Sequence, residues 1–418
     1  MKVIFLVDNI PAIEMFAPIV KELPADWEFI FINHDGWTEK SRTDIEHALQ
    51  KLNVNYLTVT SRSFKDIDKL LQKEQPNVVV LPRDTATEFE QSFIKCANAK
   101  QIPTLLVPHG VWAPEERKNW SDTNIITWLK HAYYLFLQGS RIIKKSGFSW
   151  KQLIKTALFW LKRDLSHKRV FDGHGGCSKI AAFGDSMKNI LTSEGLCSDN
   201  IVVTGNPKFD FLYNIRDNDS KQNLCTKWDI PNDNDIVLVL TNYLVEFGIW
   251  TTEQRKRHIT AIANAVSGLA NTTLVIKVHP VMENELDYHE IFKNSPDPPV
   301  ICKHISIPEI LNACSLAITT TSTVGLEIMA MGKPLLIVNL FNDITLYDET
   351  TGAIVINDEQ NLFPTIKNIL NNGLNPRVKE ACAKFVYQQA YLQDGKAANR
   401  ISNLISQMAV ENNKAIRG

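Results

Sequence analysis

Short apolar runs bounded by turn residues alternate with amphipathic stretches along this 418-residue chain. Runs of this length, separated by helical patterns, are typical of buried strands in parallel sheets with right-handed crossovers. In the first half the predicted strands are residues 3–7, 28–32, 78–81, 104–107, 180–183 and 201–203. In the second half they are residues 236–240, 274–278, 316–318, 335–338 and 353–356. The pattern predicts an α/β protein with one doubly wound parallel sheet in each half.

Two domains are expected, because 418 residues that are 44 % apolar can bury two cores of ordinary size. The polar stretch 214–235 is the predicted linker between Rossmann-like domains at 1–213 and 236–392. Residues 393–418 are predicted to form a final helix that packs back on the N-terminal domain. Open α/β sheets bind ligands outside the carboxyl ends of their strands, so we expect the domains to face each other across a ligand-binding cleft.

Composition excludes several classes of protein. The net charge of −1 gives no general attraction to nucleic acid. The seven cysteines are scattered without a CxxC pair, which favours reduced thiols in the cytoplasm over disulfides or a zinc site. The apolar start of the chain stops at Asp8 and reads as a buried strand rather than a signal peptide. No uncharged apolar run reaches the length of a membrane span.

Two strand ends in the second half carry side chains that suit a phosphate. The strand 274–278 contributes Lys277 and leads into His279-Pro280, and the strand 316–318 leads into the hydroxyl-rich turn Thr321-Ser322-Thr323. Backbone N–H groups and hydroxyls at a helix start bind anions, and nearby basic side chains add positive charge. The pattern predicts a nucleotide-sugar pocket. In the alternative interpretation the hydroxyls only cap a helix, His279 ties two loops together and Lys277 leaves the sheet edge for solvent.

An ordered series of motifs resembles the UDP-N-acetylglucosamine 2-epimerase superfamily. The motifs are residues 2–18, 76–87, 203–207, 327–334 and 394–401, and they span nearly the whole chain apart from about residues 117–177. The resemblance implies a two-domain GT-B fold. It also implies nucleotide contacts from Gly205 and Asn206, and from Glu327 as the carboxylate that binds ribose hydroxyls. A tight turn at Gly205 and a surface position for Glu327 are the structural alternatives.

Departures from the epimerase pattern bear on the reaction. Where hydrolysing epimerases carry a His-Arg-Arg-Glu-Asn segment this chain has residues 241–246, which begin Thr241-Asn242, and the histidine is missing. Epimerisation needs acid and base groups that remove and return a proton at sugar C2, so this loss disfavours it. The His-Pro step and the Ser/Thr turn instead resemble bacterial capsule enzymes, namely the sialyl-, Kdo- and CDP-glycerol transferases.

We therefore predict a metal-independent glycosyltransferase with a CMP-, CDP- or UDP-linked donor and no other cofactor. Its acceptor would be a surface polysaccharide or a lipid-linked glycan. An epimerase-like isomerase and a non-catalytic nucleotide-sugar-binding protein are the alternatives.

Asp84, His109 and Glu116 are the candidates for activating the acceptor from the first domain. Asp84 follows the strand 78–81 and either accepts a proton from an acceptor hydroxyl or caps the next helix. His109 is the rival base because imidazole titrates near neutral pH, with a structural role as its alternative. Further candidates are Glu88 and Glu115.

The segment 128–171 is unusually basic and aromatic. Between residues 129 and 170 there are ten Lys/Arg and one carboxylate, Asp164. Apolar residues from Trp150 to Leu161 share one helical face, and lysines lie toward the other. Such a helix suits a bilayer interface with anionic headgroups, so we predict peripheral contact with the inner face of the cytoplasmic membrane. The alternative is a helical hairpin with a solvated basic face.

Overall fold

The computed structural model describes residues 1–34, 39–59, 63–85, 88–108, 172–215, 220–280 and 282–417. The chain divides into two compact units. The first comprises Met1–Lys208 with Lys396–Gly418, and the second comprises Phe209–Gly395.

Within the described residues, the first unit is built on a sheet of seven parallel strands in the order β3-β2-β1-β4-β5-β6-β7. The strands are β1 (Lys2–Val7), β2 (Glu28–Asn33), β3 (Tyr56–Thr58), β4 (Val78–Leu81), β5 (Thr104–Leu106), β6 (Lys179–Ala182) and β7 (Ile201–Val203). Strands β2 and β3 are added on one side of β1, and β4 to β7 on its other side. The switch point of the sheet therefore lies between β1 and β4. Ligands of doubly wound sheets bind at such a switch point.

Helices of the first unit cover both faces of this sheet. They are α1 (Ile10–Lys21), α2 (Glu39–Lys51), α3 (Phe64–Glu74), α4 (Glu88–Ala99), α5 (Asp185–Ser193) and α6 (Pro207–Asn214), which runs into the second unit. The Asn9 side chain accepts the N–H of Ala12 (2.8 Å) and so caps the start of α1. Phe16 and Ile19 of α1 are fully buried and belong to the same core cluster as Phe5 of β1.

Within the described residues, the second unit has six parallel strands in the order β10-β9-β8-β11-β12-β13. The strands are β8 (Asp235–Leu240), β9 (Thr272–Lys277), β10 (Val300–Cys302), β11 (Leu316–Thr319), β12 (Leu335–Val338) and β13 (Ile354–Ile356). Its helices are α7 (Ser220–Trp228), α8 (Thr252–Ser267), α9 (Glu285–Phe292), α10 (Ile307–Ala313), α11 (Val324–Ala330), α12 (Leu362–Asn372) and α13 (Pro376–Ala390). The switch point of this sheet lies between β8 and β11.

The last helix, α14 (Ala397–Arg417), belongs to the first unit. Ile401 and Ile405, which are fully buried one turn apart, join the same core cluster as α1. Burying a side chain of this size stabilises the fold by about 1.5–3 kcal/mol. Ser402 Oγ also donates to the carbonyl of Glu22 (2.8 Å). No helix in the described ranges combines the length and the apolar character of a membrane span.

The predicted α/β class with two doubly wound parallel sheets is confirmed. The apolar pattern missed β3 and β10, because both are three-residue edge strands whose side chains are mostly half-buried. The segment 214–235 differs from the predicted linker. It contains α7, whose Leu224 and Cys225 are buried beneath an otherwise polar surface, and the boundary between units falls after Lys208.

Candidate functional site

The candidate site of the second unit lies at the carboxyl ends of β9, β8 and β11. Because β8 lies between the other two strands, the loop that follows it separates the His279 turn from the hydroxyl turn predicted beside it. Thr241 and Asn242 begin that loop, at the switch point of the sheet. Each of these two side chains bonds to one of the neighbouring turns.

The His279 turn is fixed by Thr241 and by a buried carboxylate, Glu283. The backbone N–H of His279 donates to Thr241 Oγ1 (3.0 Å) and to Glu283 Oε2 (3.1 Å). Thr241 Oγ1 in turn donates to Glu283 Oε2. The His279 ring is half-buried and packs edge-on against Tyr243, with ring centroids 4.6 Å apart. Pro280 is exposed. The turn is therefore held by the scaffold, and the imidazole is left at the sheet edge.

The backbone N–H groups of the hydroxyl turn bond largely within the protein. In the orientation that satisfies all its hydrogen bonds, the Asn242 amide oxygen accepts the N–H groups of Thr321 (3.1 Å) and Ser322 (3.2 Å). It also accepts the Thr321 hydroxyl (2.7 Å). The N–H of Val324 donates to Ser322 Oγ (3.3 Å). The predicted cradle of amides is thus occupied by side chains of the chain itself, and the hydroxyls of Ser322 and Thr323 are the accessible groups.

Tyr347 also stabilises the hydroxyl turn. Its hydroxyl accepts the N–H of Leu326 (3.0 Å) and donates to the carbonyl of Thr323 (3.2 Å). The ring packs on Gly325, where an added Cβ would lie 2.4 Å from the Tyr347 ring. The start of α11 is therefore ordered by tertiary contacts.

Lys277 and Glu327 form the charged part of the site. Lys277, the last residue of β9, is 4 % exposed. Burial lowers the pKa of Lys277, although the carboxylate of Glu327 attracts the charged form. Glu327 is 9 % exposed, within a helix whose residues are all buried, so the surface interpretation of Glu327 is wrong. The sheet edge thus brings together a buried cation and a buried carboxylate.

The Lys277 ammonium affects the protonation of His279. Burial lowers the pKa of His279, and the positive charge of Lys277 lowers it further. The imidazole is consequently neutral at physiological pH, and the positive charge at this edge comes from the lysine.

His258 of α8 is a further buried polar residue beneath the site. It is 4 % exposed, packs against Trp250 and donates through Nε2 to the carbonyl of Val338 (3.1 Å). Burial lowers the pKa of His258 to about 4. The folded protein therefore favours the neutral form of His258.

His258 should make the folded state sensitive to acid. The unfolded chain binds a proton near the ordinary pKa of 6.5, whereas the folded state binds it only near 4. The difference should remove about 3 kcal/mol of the free energy of unfolding as the pH falls from 6.5 to 4. His258→Gln keeps a donor for Val338, so denaturant titrations should show a smaller loss of stability with acid in this variant. Parallel pH profiles for both proteins would contradict the assignment.

In the first unit, Asp84 holds a loop in place. Its carboxylate accepts the backbone N–H groups of Gly173 and Gly175, both at 2.8 Å. An added Cβ at Gly175 would lie 2.2 Å from the carbonyl oxygen of Asp84, so the close approach requires glycine. Burial and the neighbouring Asp172 carboxylate raise the pKa of Asp84 to about 7. Asp84 thus has a structural role, and its carboxyl group titrates near neutral pH.

The Gly205-Asn206 turn follows β7 in the first unit. Gly205 adopts a positive φ of 82°, and Asn206 Oδ1 accepts the N–H of Lys208 (3.0 Å) at the start of α6. Arg400 of α14 donates through Nε to the carbonyl of Thr204 (2.7 Å). These contacts tie the Gly205-Asn206 turn to the last helix.

Several predictions fall on parts of the chain that lie outside the described residues. These are His109, Glu115, Glu116 and the segment 128–171. Within the described ranges, no cluster of three or more His, Cys, Asp or Glu side chains has the arrangement of a metal site.

Glu283, Asn242 and Tyr347 were not among the predicted site residues. Asn242 and Tyr347 act on a turn that follows another strand, so no local spacing reveals them. Glu283 lies four residues after His279 and accepts the His279 N–H group, so a search for local side-chain to backbone bonds would have found it.

Two Rossmann-like units with a basic, hydroxyl-rich edge define a protein of the GT-B class. The chain belongs to the UDP-N-acetylglucosamine 2-epimerase family, whose sequence profile matches residues 178–406. The resemblance read from the motifs is therefore confirmed. No curated protein sequence matches the chain significantly.

Solved structures of similar fold extend over almost the whole chain. A putative UDP-N-acetylglucosamine 2-epimerase from Listeria monocytogenes has a TM-score of 0.62 at 18 % identity, covering 97 % of this chain and 96 % of its own. The UDP-GlcNAc 2-epimerase from Neisseria meningitidis bound to UDP-GlcNAc has a TM-score of 0.60 at 15 % identity, with 97 % and 100 % covered. The wall teichoic acid polymerase TagF with CDPG has a TM-score of 0.54 at 12 % identity, with 98 % and 89 % covered. These likenesses confirm the predicted GT-B fold.

Proposed function

We propose that this protein is a nucleotide-sugar-dependent glycosyltransferase that holds the donor phosphate at the carboxyl edge of the second sheet. The observation that carries the proposal is the buried side chain of Lys277, whose pKa is lowered by burial although the Glu327 carboxylate attracts its ammonium. Burying a charge is costly, so a bound anion that adds hydrogen bonds and opposite charge would stabilise this ammonium. The half-buried imidazole of His279 and the hydroxyls of Ser322 and Thr323 supply neutral donors to the same anion.

Glu327 suits the ribose of the donor. A carboxylate can accept two hydrogen bonds from a diol, and Glu327 lies near enough to Lys277 for electrostatic attraction. Solved neighbours with bound UDP-GlcNAc and CDPG support a nucleotide donor in general. The donor is expected to be UDP-, CDP- or CMP-linked.

Transfer is favoured over epimerisation because the side chains at the expected acid and base positions are hydrogen-bonded within the protein. The loop after β8 carries Thr241 and Asn242, and both side chains bond to the neighbouring turns. Each carboxylate oxygen of Asp84 accepts a hydrogen bond from a backbone N–H group. These side chains are therefore less available to remove and return a proton at sugar C2, as epimerisation requires.

Epimerisation of UDP-N-acetylglucosamine is the second candidate. The family profile supports it, and so does the raised pKa of Asp84, because a carboxyl group that titrates near pH 7 suits proton transfer. In this alternative Asp84 would act together with Glu115 or Glu116.

The acceptor follows from the transferase proposal. The likeness to a teichoic acid polymerase and the basic, aromatic composition of residues 128–171 support a surface polysaccharide or lipid-linked glycan, with peripheral attachment at the inner face of the membrane.

Two measurements on the purified protein test the proposal. A thermal-shift screen of UDP, CMP, CDP and GDP should find one nucleotide that stabilises the fold, by about 2.7 kcal/mol at 100 times its Kd. Incubation with UDP-N-acetylglucosamine in D2O should leave C2 free of deuterium. Deuterium at C2 would favour the epimerase, and no stabilisation by any of the four nucleotides would contradict the donor site.

A further inference from the structure

Glu283 is a buried carboxylate on which two loops of the candidate site converge. It is 2 % exposed, and besides the His279 N–H group and Thr241 it accepts the Tyr288 hydroxyl at Oε1 (2.6 Å). Its own backbone carbonyl accepts Lys303 Nζ (2.6 Å). Groups from the loops after β8, β9 and β10 and from α9 therefore meet at one residue.

Arg255 supplies the opposite charge. Its Nη2 lies 3.4 Å from Glu283 Oε1 and donates to both oxygens of Glu246 (2.6 Å each). Arg255 is 4 % exposed, whereas its third partner, Asp287, is half exposed. A buried ion pair with its hydrogen bonds satisfied specifies geometry more than it adds stability. The geometry specified here is that of the His279 turn.

The same turn determines which ring nitrogen of His279 carries the proton. The backbone N–H of Met282 donates to His279 Nδ1 (3.3 Å). Nδ1 must then present its lone pair, so the proton of the neutral ring resides on Nε2. The Tyr243 ring, packed against the imidazole, limits rotation out of this orientation.

We propose that Glu283 is a positioning residue that locks His279 as a neutral Nε2–H donor for the donor phosphate. The inference rests on the proposed function, because the phosphate is the acceptor of that N–H group. Glu283 acts through the backbone N–H group of His279 and does not itself reach the ligand.

Paired substitutions at His279 test which nitrogen is used. The amide nitrogen of His279→Gln reaches the place of Nε2, and that of His279→Asn the place of Nδ1. With whichever nucleotide stabilises the wild type, His279→Gln should bind within about threefold of wild type, whereas His279→Asn should lose about tenfold or more in affinity, as for one hydrogen bond. Equal affinities of the two variants would overturn the proposal.

The ligand-free protein gives a second readout that does not depend on the nucleotide. Histidine ¹⁵N spectra, with the His279 signals assigned by their loss in His279→Gln, should show Nε2 protonated and Nδ1 unprotonated. Glu283→Gln keeps one acceptor oxygen and should retain this signature in part, whereas Glu283→Ala should lose it together with nucleotide affinity. Asp287→Asn, which alters the exposed partner of the same arginine, is the matched control and should keep both.

The two possible failures are distinguishable. A wild-type protein that binds none of the nucleotides contradicts the proposed function, while the ¹⁵N spectra still report on the turn. A wild-type His279 protonated on Nδ1, or unchanged His279 spectra in Glu283→Ala, overturns the positioning role even where nucleotide binding is intact.

Discussion

Replacing Lys277 by methionine is expected to abolish most nucleotide binding while leaving the free protein at least as stable as the wild type. A charged hydrogen bond to phosphate contributes about 1.5–3 kcal/mol, so affinity should fall by roughly 10- to 100-fold. The gain in stability follows from the lowered pKa of Lys277, which means that burial disfavours the ammonium more than Glu327 favours it. Methionine removes that penalty and keeps the apolar stem. Chemical denaturation and nucleotide titration measure the two effects.

Lys333→Met is the matched control for this prediction. Lys333 Nζ donates to the carbonyls of Asn312 (2.9 Å) and Cys314 (2.8 Å), so its charge is used within the fold. This substitution should lower stability and leave the nucleotide affinity unchanged, the opposite of Lys277→Met. A loss of stability in Lys277→Met with full affinity would assign Lys277 a structural role.

Gly325→Ala is expected to disrupt the hydroxyl turn and to destabilise the second unit. The added Cβ would lie 2.4–2.8 Å from three atoms of the Tyr347 ring and hydroxyl, and Tyr347 is 1 % exposed. Tyr347 must therefore move and give up its bonds to Thr323 and Leu326. Overpacking costs about 1–3 kcal/mol, and each buried group left unsatisfied adds about 1–3 kcal/mol. We expect a drop in Tm and weaker nucleotide binding, since Ser322 and Thr323 lie in the same turn.

Gly332→Ala provides the comparison at the other end of the same helix. Gly332 has a positive φ of 71° and no atom within 4 Å of an added Cβ. The variant should lose only about 1 kcal/mol from backbone strain and should bind nucleotide normally. Equal losses in the two variants would show that backbone strain rather than the Tyr347 contact explains the effect.

Much of the fold could be predicted from the chain, because buried parallel strands leave a local signal. The runs 3–7 and 236–240 were recognised since nearly every side chain in them is buried on both faces of a sheet. The edge strands Tyr56–Thr58 and Val300–Cys302 were missed, because their side chains are mostly half-buried and hydrogen bonds to one neighbour hold them.

Some residues of the candidate site could be predicted from the sequence, but their contacts could not. Lys277, His279 and Glu327 were identified from their places after strands and in a motif. The roles of Asn242 and Asp84 could not be identified in that way, because the partners of each lie about 80 to 90 residues away along the chain. Their partners are backbone N–H groups, which have no identity in the sequence.

The amino-acid sequence by itself determined the two parallel sheets, the family and the strand ends at which chemistry is expected, since hydrophobic periodicity and motif order are local properties. Only the tertiary structure decided that the amides of Thr321 and Ser322 bond to Asn242, that Glu283 fixes the His279 turn, and that Lys277 is buried. Those outcomes depend on which strands become neighbours, and hydrogen bonding and desolvation act through distances that the chain acquires only when it folds.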